Sequence, residues 1–323
     1  MDEWEIIVLG SGAAGLTAGL FAARNGRSTL VLTDGAIGGQ LLSVGNIEDF
    51  PGFPDGVPGY ELGPLIQEQA EKAGAGFRTT VARGLKPAGD RWLVATGEGE
   101  LRAAAVIVAT GSRFRSLGVP GEERLRGRGV SNCATCDAPL IRGETVGVVG
   151  GGDSALLEAL ELAQHAGKVF IFHRDGAFAA QHTYRQRVLA HPAMEVRHWT
   201  VIEEIIGENS VEAVTLRETR TGAVAQIELA AVFVYVGMEP QTAFLRGRLQ
   251  LDESGRIVTD GSLRTELAGV FAAGHVRSGS EPQAAVAAGE GARAALAAHS
   301  YLENRQVLST SDPAPYRPGT GAQ

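Results

Sequence analysis

The chain contains two cysteines, Cys133 and Cys136, which lie two residues apart and are followed directly by Asp137. A structural zinc site needs four ligands, and none of the seven histidines forms a matching pair beside the cysteines. A disulfide across two intervening residues closes a very small loop, so it would stabilise the fold only slightly. A Cys-x-x-Cys pair at a helix start can instead form a thiolate that attacks other disulfides. The pair therefore favours redox exchange over metal binding, with inert buried cysteines as the alternative.

Two glycine-rich turns each lie between a predicted strand and a predicted helix. The first, Gly-Ser-Gly-Ala-Ala-Gly at residues 10–15, follows an apolar stretch at 5–9 and precedes an alanine-rich stretch at 16–25. A second predicted strand at 28–32 ends at Thr33 and Asp34. In such a unit the glycines let the backbone approach a pyrophosphate, and an acid about 20 residues further on binds the ribose. The pattern predicts a dinucleotide-binding domain; a glycine turn of another α/β fold is the alternative.

The second turn, Gly-Gly-Gly-Asp-Ser-Ala at residues 150–155, repeats this arrangement. Predicted strands at 145–149 and 168–172 flank a predicted helix at 156–166. Two dinucleotide folds in one chain imply two nucleotides. Further apolar predicted strands end at Thr110-Gly111 and at Gly274, before and after the second repeat. We therefore expect one nucleotide domain that is interrupted in sequence by another.

Composition narrows the class of protein. A length of 323 residues, with 44% hydrophobic and 20% charged residues, is typical of a globular protein of about two domains. A formal net charge of -8 disfavours a nucleic-acid partner, because such binding depends on Lys and Arg neutralising phosphates. The N-terminus lacks a secretory pattern, and the apolar run at 227–237 contains Glu228 and is too short to suggest a membrane span. The expectation is a cytoplasmic protein in a thiol-reducing compartment that binds neither nucleic acid nor membrane.

Several further motifs occur in an order and spacing that resemble the low-molecular-weight thioredoxin reductase family over nearly the whole chain. They are Gly38-Gly39-Gln40-Leu41, the stretch Glu-Asp-Phe-Pro-Gly-Phe-Pro at 48–54, Ala109-Thr110-Gly111, Arg-Gly-Arg-Gly-Val-Ser at 126–131, and Cys133-Ala134-Thr135-Cys136-Asp137.

The resemblance implies an α/β fold with two Rossmann-like dinucleotide-binding domains of the three-layer ββα type, the second inserted into the first. An FAD-binding domain would comprise residues 1–116 and 242–303, and a pyridine-nucleotide-like domain carrying the dithiol would comprise 117–241. It also implies a homodimer whose two domains rotate. The stretch at 304–323 is rich in Pro, Gly, Ser and Thr, so we expect a disordered tail there.

Family roles carry over to the dithiol one residue at a time. Cys136 would face the flavin, Cys133 would attack the disulfide of the partner, and Asp137 would protonate the departing thiolate. A carboxylate at a helix start also interacts favourably with the helix dipole, and that role would suit Asp137 as well. The residues expected to bind FAD are Gly10, Gly12, Ala13, Ala14, Gly15, Asp34, Gly39, Gln40, Leu41, Asp49, Ala109, Thr110, Gly111, Gly274, His275, Gln283 and Ala284.

Two flavin motifs depart from the family. Thr33 stands where the family often has glutamate, so the ribose role is assigned to Asp34, which follows it. The family's Gly-Asp after the last strand is Gly274-His275 here, and its Arg-Gln-Ala is Pro-Gln-Ala at 282–284. Flavin binding is still expected, because the alanine-rich stretch at 284–302 predicts a helix whose N-terminal amides stabilise negative charge. Loss of the arginine favours a partner other than an ordinary thioredoxin.

The sharpest departure concerns the electron donor. NADPH-using members have His-Arg-Arg-x-x-x-Arg after the second strand of the inserted domain, because the 2'-phosphate needs several cationic donors. Here His173 and Arg174 are followed by Asp175, and the third arginine is absent. At about 1.5 to 3 kcal/mol per charged hydrogen bond, two missing arginines should cost several kcal/mol of NADPH binding. Leu157, in place of the family's first glutamate of Asp-Ser-Ala-x-Glu-Glu, is a further departure.

Residues that would bind a pyridine nucleotide, if one is used, are Gly150, Gly152, Asp153, Ser154, His173 and Arg174. Three donor hypotheses stay open: NADH, a ferredoxin or reduced flavin, and a reversed reaction in which a small-molecule dithiol reduces the pair and oxygen accepts the electrons. Drift is also compatible with the changes, with Arg185 or Arg187 reaching the phosphate instead.

The sequence thus predicts an FAD-dependent disulfide oxidoreductase that passes electrons from reduced flavin through Cys133 and Cys136 to a thioredoxin-like protein or another disulfide substrate. FAD is the expected cofactor; NADPH or NADH stays open as the electron donor but is disfavoured by the changes in the phosphate motif, and ferredoxin is the alternative protein donor. A redox-sensing flavin-binding protein without turnover is the non-enzymatic alternative.

Overall fold

The structure, a computed structural model, describes residues 2–310, with side chains through Arg305. It divides into two compact units. The first unit comprises Met1–Ile37, Leu65–Gly111 and Thr242–Gln323, and the second comprises Gly38–Pro64 and Ser112–Gln241. Most of the second unit is therefore an insertion between two parts of the first. The predicted domain bounds differ from this division mainly at Gly38–Pro64, and they stay a prediction about cofactor-binding domains.

The elements alternate along the chain as an α/β protein requires. Among the described helices, none combines the length and the apolar character needed to cross a membrane. The helices are α1 (Ala13–Arg24), α2 (Gly59–Lys72), α3 (Ala134–Asp137), α4 (Asp153–Leu162), α5 (His182–Ala190) and α6 (Ala284–Thr310), with 3₁₀ turns at Gly39–Ser43, Ala138–Leu140 and Ala243–Leu245. The strands are β1 (Glu3–Leu9), β2 (Thr29–Thr33), β3 (Gly76–Thr79), β4 (Ala82–Ala88), β5 (Arg91–Thr96), β6 (Gly99–Val108), β7 (Ser112–Phe114), β8 (Val130–Ser131), β9 (Thr145–Gly150), β10 (Lys168–Phe172), β11 (Met194–Arg197), β12 (Thr200–Ile206), β13 (Ala213–Glu218), β14 (Val224–Glu228), β15 (Ala231–Tyr235), β16 (Met238–Pro240) and β17 (Val270–Ala272).

The first unit is built on a sheet in the order β3-β2-β1-β6-β5-β4, with β17 also paired to β6. Strands β3, β2, β1, β6 and β17 are parallel, and β4 and β5 continue from β6 as an antiparallel meander. Side chains alternate along β1: Ile6 and Val8 pack with helices α1 and α6, whereas Ile7 and Leu9 pack with the meander. The parallel sheet thus has helices on one face and antiparallel strands on the other.

The second unit repeats this layering. Its parallel sheet has the order β11-β10-β9-β15-β8, and β12-β13-β14 form a separate antiparallel sheet. On β10, Val169 and Ile171 pack in one core with α4 and α5, whereas Phe170 and Phe172 pack in another with the antiparallel strands. Each unit therefore has helices, a parallel sheet and antiparallel strands in three layers, which confirms the predicted fold class.

Several element bounds differ from the sequence prediction. Helices α1 and α4 begin at Ala13 and Asp153, three residues earlier than predicted, because Gly12 and Gly152 are already their N-cap residues. Helix α6 runs to Thr310, past the predicted start of a tail at residue 304. Arg305 extends it by pairing with Asp90 at 2.8 Å. The rest of the predicted tail, 311–323, lies outside the described residues.

Candidate active site

The cysteine pair is oxidised. Cys133 and Cys136 form a disulfide with their Cα atoms 5.3 Å apart. Cys133 is the N-cap of the short helix α3, and its sulfur accepts a hydrogen bond from the backbone N–H of Cys136 at 3.3 Å. Cys136 is exposed, Cys133 is partly buried, and Asp137 is the last residue of the helix. The pair therefore lies at a helix start, and in the oxidised pair the predicted nucleophile Cys133 is less exposed than Cys136.

The loop that carries the disulfide is tied to the parallel sheet of the second unit. The Ser131 hydroxyl accepts from the backbone N–H of Cys133 at 3.1 Å, and the Asn132 side-chain amide donates to the carbonyl of Val234 on β15 at 3.1 Å. One residue further on, the backbone N–H of Ala134 donates to a carboxylate oxygen of Glu158 at 2.9 Å. Hydrogen bonds from Asn132, Cys133 and Ala134 thus hold the chain in place on both sides of Cys133.

Glu158 lies on the buried face of α4 and is 5% exposed. The same carboxylate oxygen also accepts from the Tyr235 hydroxyl at 3.1 Å. Burial raises the pKa of Glu158 to about 7, against the opposing effect of the Ala134 N–H and the Tyr235 hydroxyl. Burial, and then the negative charge of Glu158, raise the pKa of Tyr235 well above its ordinary value, so this phenol stays protonated and donates.

Four residues predicted to bind FAD lie in the segment Gly38–Pro64, which belongs to the second unit. Gly39, Gln40 and the buried Leu41 form a 3₁₀ turn, and the Gln40 side chain donates to the carbonyl of Ser112 at 3.1 Å. Asp49 accepts from the side chain of Gln181 at 3.1 Å. Their role toward FAD stays a prediction.

The glycine turn of the second unit follows β9. Gly150 has φ +145°, and a Cβ there would lie 2.4 Å from the carbonyl oxygen of Tyr235, so only glycine fits without movement. Helix α4 begins at Asp153, whose carboxylate accepts from the backbone and the side chain of Gln181 at 2.7 and 3.0 Å. Ser154 is exposed on the first turn of this helix. The turn has the backbone that a pyrophosphate needs, with one carboxylate already at the helix N-terminus.

The residues that would meet the adenosine ribose lie just after β10. His173 is buried against Gly151, and its Nε2 lies 3.0 Å from the carbonyl of Ala177. Arg174 is 80% exposed, and its Nε donates to Asp175 at 3.3 Å. The one remaining arginine of the motif is therefore already paired with the carboxylate that stands at the second position.

Arg185 and Arg187, the alternative cations for a 2'-phosphate, make no hydrogen bond to residues 173–175 in the described part of the chain. Arg187 donates to both carboxylate oxygens of Glu48 at 2.8 Å. Arg185 is partly buried, and its Nε is buried without a hydrogen-bond partner among the described residues. An arginine contact to a 2'-phosphate would therefore need Arg187 to leave Glu48, or Arg185 to supply its unpaired donor.

In the first unit, predicted FAD residues that follow strands β1, β6 and β17 lie close to one another. Gly10 has φ +110°, and a Cβ on it would lie 2.4 Å from the carbonyl oxygen of Ala109 and 3.1 Å from Thr110 Cα. Gly111 follows directly. A Cβ on Gly274 would lie 2.9 Å from the side chain of Ala14. The ends of β1, β6 and β17 thus form one narrow backbone cradle.

The cradle fits a dinucleotide. Ala13 and Ala14 open helix α1, which has no side-chain cap at Gly12 and no acidic residue in its first turn, so its amides suit a pyrophosphate. Gly15 lies against the carbonyl of Gly10, where a Cβ would be 1.9 Å from the oxygen. The residues present therefore fit FAD.

Thr33 and Asp34, at the end of β2, have different surroundings. The buried Thr33 hydroxyl is 2.6 Å from the hydroxyl of Ser11, which lies in the glycine turn. Asp34, the next residue, is exposed. Thr33 therefore supports the turn from within, and Asp34 is left on the solvent side, where the ribose role was predicted.

His275 occupies the position of the family's aspartate, at the turn after β17. Its Nε2 accepts from the Arg256 guanidinium at 2.9 Å, since arginine has only donors. Burial and then the charge of Arg256 lower the pKa of His275 to about 4, so the imidazole is neutral at pH 7 with its proton on Nδ1. Gln283 and Ala284 open helix α6, and the Gly274 N–H donates to Glu290 of that helix at 2.7 Å.

Sequence reasoning missed Glu158, Tyr235 and Arg256. Glu158 gives the clearest signal, because it is a carboxylate among the apolar residues Ala155, Leu156 and Ala159 on one helix face. Tyr235 ends an otherwise apolar strand, and Arg256 lies in the segment between β16 and β17. No group of three or more His, Cys, Asp or Glu side chains within residues 2–310 is placed to hold a metal ion.

Comparisons with known proteins agree with this geometry. Residues 4–291 match the pyridine nucleotide-disulphide oxidoreductase family. The chain is 40% identical over 322 residues to a thioredoxin reductase of Streptomyces clavuligerus, covering 97% of this chain and 99% of the relative. Its fold is similar to the thioredoxin reductase of Lactococcus lactis, with a TM-score of 0.91, 35% identity, and coverage of 93% and 99% of the two chains. It is also similar to a ferredoxin-flavin thioredoxin reductase of Clostridium acetobutylicum, with a TM-score of 0.53, 27% identity, and coverage of 95% and 100%.

Two dinucleotide-type units and a redox disulfide define a flavin-dependent disulfide oxidoreductase, and the chain belongs to the pyridine nucleotide-disulphide oxidoreductase family. Its curated relatives and structural neighbours place it more narrowly. It is a member of the low-molecular-weight thioredoxin reductase family, an enzyme that depends on FAD. This confirms the class of activity and the cofactor that the sequence predicts.

Proposed function

We propose that this enzyme passes two electrons from its reduced flavin through Cys133 and Cys136 to the disulfide of a thioredoxin-like protein. The observation that carries the proposal is the disulfide at the start of α3, in a chain 40% identical to a thioredoxin reductase. The homodimer that the family resemblance implies and the cytoplasmic setting expected from the sequence are part of the same proposal.

The residues of the chain would perform the exchange as follows. In the reduced pair, the Cys133 thiolate attacks one sulfur of the substrate disulfide and displaces the other as a thiolate. Asp137 gives that leaving sulfur its proton. The Cys136 thiol then loses its proton and its sulfur attacks Cys133, which re-forms the internal disulfide. The second substrate sulfur leaves and takes up that proton, so the substrate is released as a dithiol. The second attack is intramolecular and therefore fast, which is why the two cysteines need to be adjacent.

FAD, when bound, supplies the reversible two-electron store that reduces the disulfide. Gly10, Gly12, Ala13, Ala14 and Gly15 would hold its pyrophosphate, and Asp34 its adenosine ribose. The neutral His275 would stand beside the ribityl chain as a hydrogen-bonding group without charge. The other predicted contacts are Gly39, Gln40, Leu41, Asp49, Ala109, Thr110, Gly111, Gly274, Gln283 and Ala284.

We further propose that the electron donor is not selected for the 2'-phosphate of NADPH. Asp175 is paired with Arg174, and the third arginine of the family motif is replaced by Ala179. NADH remains compatible with the turn formed by Gly150 and Gly152. A ferredoxin is the second candidate donor, supported by the similarity to the ferredoxin-flavin thioredoxin reductase of Clostridium acetobutylicum.

An anaerobic titration tests both proposals. The FAD-loaded protein is mixed with NADPH or NADH, flavin bleaching is recorded, and oxidised thioredoxin is then added. Bleaching by NADH that thioredoxin reverses supports the reductase with a permissive coenzyme site. No bleaching by either nucleotide, with bleaching by reduced ferredoxin, moves the donor to ferredoxin. Reduced enzyme that leaves thioredoxin oxidised contradicts the proposed substrate.

A further inference from the structure

Helix α4 carries one carboxylate into the core of the second unit. Glu158 is 5% exposed, and its neighbours Ala155, Leu156 and Ala159 on the same helix are fully buried. A carboxyl group at such a position lowers stability unless hydrogen bonds compensate for its lost hydration. Replacement by an apolar residue would avoid that cost, so the position of Glu158 calls for a reason beyond packing.

The contacts of Glu158 lead directly to the dithiol. Its Oε2 accepts from the Ala134 N–H at 2.9 Å and from the Tyr235 hydroxyl at 3.1 Å. Ala134 is the residue after Cys133 and the first residue of α3. Tyr235 ends β15, the strand that also holds the dithiol loop through Asn132 and Val234. One carboxylate oxygen therefore joins the dithiol turn to the central sheet.

The ionisable groups around Glu158 act on its pKa in opposite directions: the Tyr235 hydroxyl lowers it by donating to the carboxylate, and the charge of Glu161 raises it. Tyr235 on β15 stays protonated, and Asp137 on α3 acts on Tyr235. Glu161, on α4 itself, adds a negative charge that raises the pKa of Glu158 after the larger effect of burial. His165 lies 3.9 Å from Glu161.

The remaining elements packed on α4 contribute no nearer partner. Strand β9 has no ionisable side chain. Lys168 on β10 pairs with Glu195 at 2.6 Å. Tyr184 on α5 has its pKa raised to about 12 by burial and then by the carboxylates of Asp49 and Glu48. The groups of the dithiol turn whose charge changes during the proposed reaction are therefore the sulfurs of Cys133 and Cys136 and the carboxyl group of Asp137.

We propose that Glu158 is a positioning residue for the dithiol that also takes up a proton when the Cys133–Cys136 disulfide is reduced. Reduction breaks the S–S bond, adds two electrons and, with one proton, yields one thiol and one thiolate. The new negative charge lies one residue from the amide that Glu158 holds. A carboxylate beside a new like charge binds a proton more tightly, so Glu158 takes a second proton from solvent. Re-oxidation by the substrate disulfide removes the thiolate and releases that proton.

The test is an equilibrium between the disulfide of the FAD-loaded protein and dithiothreitol at a series of pH values. Thiols are counted by alkylation and mass measurement, so the reading is independent of enzyme turnover. The equilibrium constant for reduction of wild type is divided by that of Glu158→Gln at each pH. This ratio should fall by about tenfold as the pH rises through the range around 7. A shift of one pKa unit in the carboxyl group on reduction corresponds to that factor.

Matched variants separate the possible roles. Glu161→Gln, on the same helix but without a bond to Ala134, removes a charge that raises the pKa of Glu158, so it should keep the size of the fall and move it to slightly lower pH. Tyr235→Phe removes one donor to the ionised carboxylate, so it should move the fall to higher pH. A Glu158→Gln curve that runs parallel to wild type at every pH would leave only an anchoring role and overturn the proton uptake. Identical constants at every pH would overturn both roles.

A second measurement does not depend on the folding of any variant. An infrared difference spectrum of wild type at pH 7, reduced minus oxidised, should gain a protonated-carboxyl band, and its absence overturns the proposal. The inference rests on the proposed cycling of Cys133 and Cys136. That proposal fails separately if the wild-type disulfide does not equilibrate with dithiothreitol at all.

Discussion

Asp175→Arg should convert the coenzyme site toward NADPH. The arginine would replace the partner of Arg174 with a second cationic donor for a 2'-phosphate. One charged hydrogen bond contributes about 1.5 to 3 kcal/mol. Removing a carboxylate about 6 Å from a phosphate dianion removes roughly 1 kcal/mol of repulsion in a water-like medium.

Those values need a discount, because the side chains of Arg174 and Asp175 are 80% and 59% exposed. Screening by water leaves roughly half, or about 1 to 2 kcal/mol. The ratio of kcat/KM for NADPH over NADH should therefore rise by about 5- to 30-fold. The assay is anaerobic stopped-flow reduction of the flavin at several concentrations of each coenzyme.

Two further variants serve as controls for this prediction. Asp175→Asn removes the repulsion without adding a cationic donor, so it should change the ratio by only about twofold. Glu208→Arg makes the same charge change at an exposed site that bears no relation to the motif, and it should leave the ratio unchanged. The reasoning is refuted if wild type already prefers NADPH by more than about tenfold, or if Asp175→Arg leaves the ratio where it was.

Two other predictions concern the FAD-binding unit. Gly10→Ala should reduce FAD content and lower stability by at least about 3 kcal/mol, because of its positive φ and the missing space beside Ala109. Gly26→Ala, with φ +73° but nothing within 4 Å, should cost about 1 kcal/mol; equal losses in thermal unfolding of the two variants would contradict the cradle. His275, with its pKa lowered to about 4 in the folded state from 6.5, binds a proton more readily when unfolded. Stability should therefore fall as pH drops from about 6.5 to 4, and His275→Gln should flatten that fall in urea unfolding, whereas the exposed His182→Gln should not.

Local sequence patterns were sufficient to predict the fold class and the positions of the glycine turns. The glycine turns at Gly10 and Gly150 each follow an apolar strand, and such a strand can be recognised from five or six consecutive residues. The dithiol is likewise a local motif, so its place at a helix start could be predicted. The ends of α1, α4 and α6 were less accurate, because they depend on caps and on contacts such as Arg305 with Asp90.

Contacts between residues distant in sequence could not be predicted in the same way. Glu158 is 24 residues from Ala134 and 77 from Tyr235, and only the folded helix and sheet bring them together. Arg256 meets His275 across 19 residues, and this contact decides the charge of the imidazole. Sequence reasoning identified the replacement of the family's aspartate but had no means of finding the arginine that accompanies it.

The central claim is that the Cys133–Cys136 disulfide is a redox centre in addition to the flavin. Anaerobic titration of the FAD-loaded protein with dithionite counts the electrons that each subunit accepts. The account predicts about four electron equivalents for wild type, two for the flavin and two for the disulfide, and about two for Cys136→Ser with FAD retained. Two equivalents for wild type, with the disulfide still intact by alkylation, would contradict it.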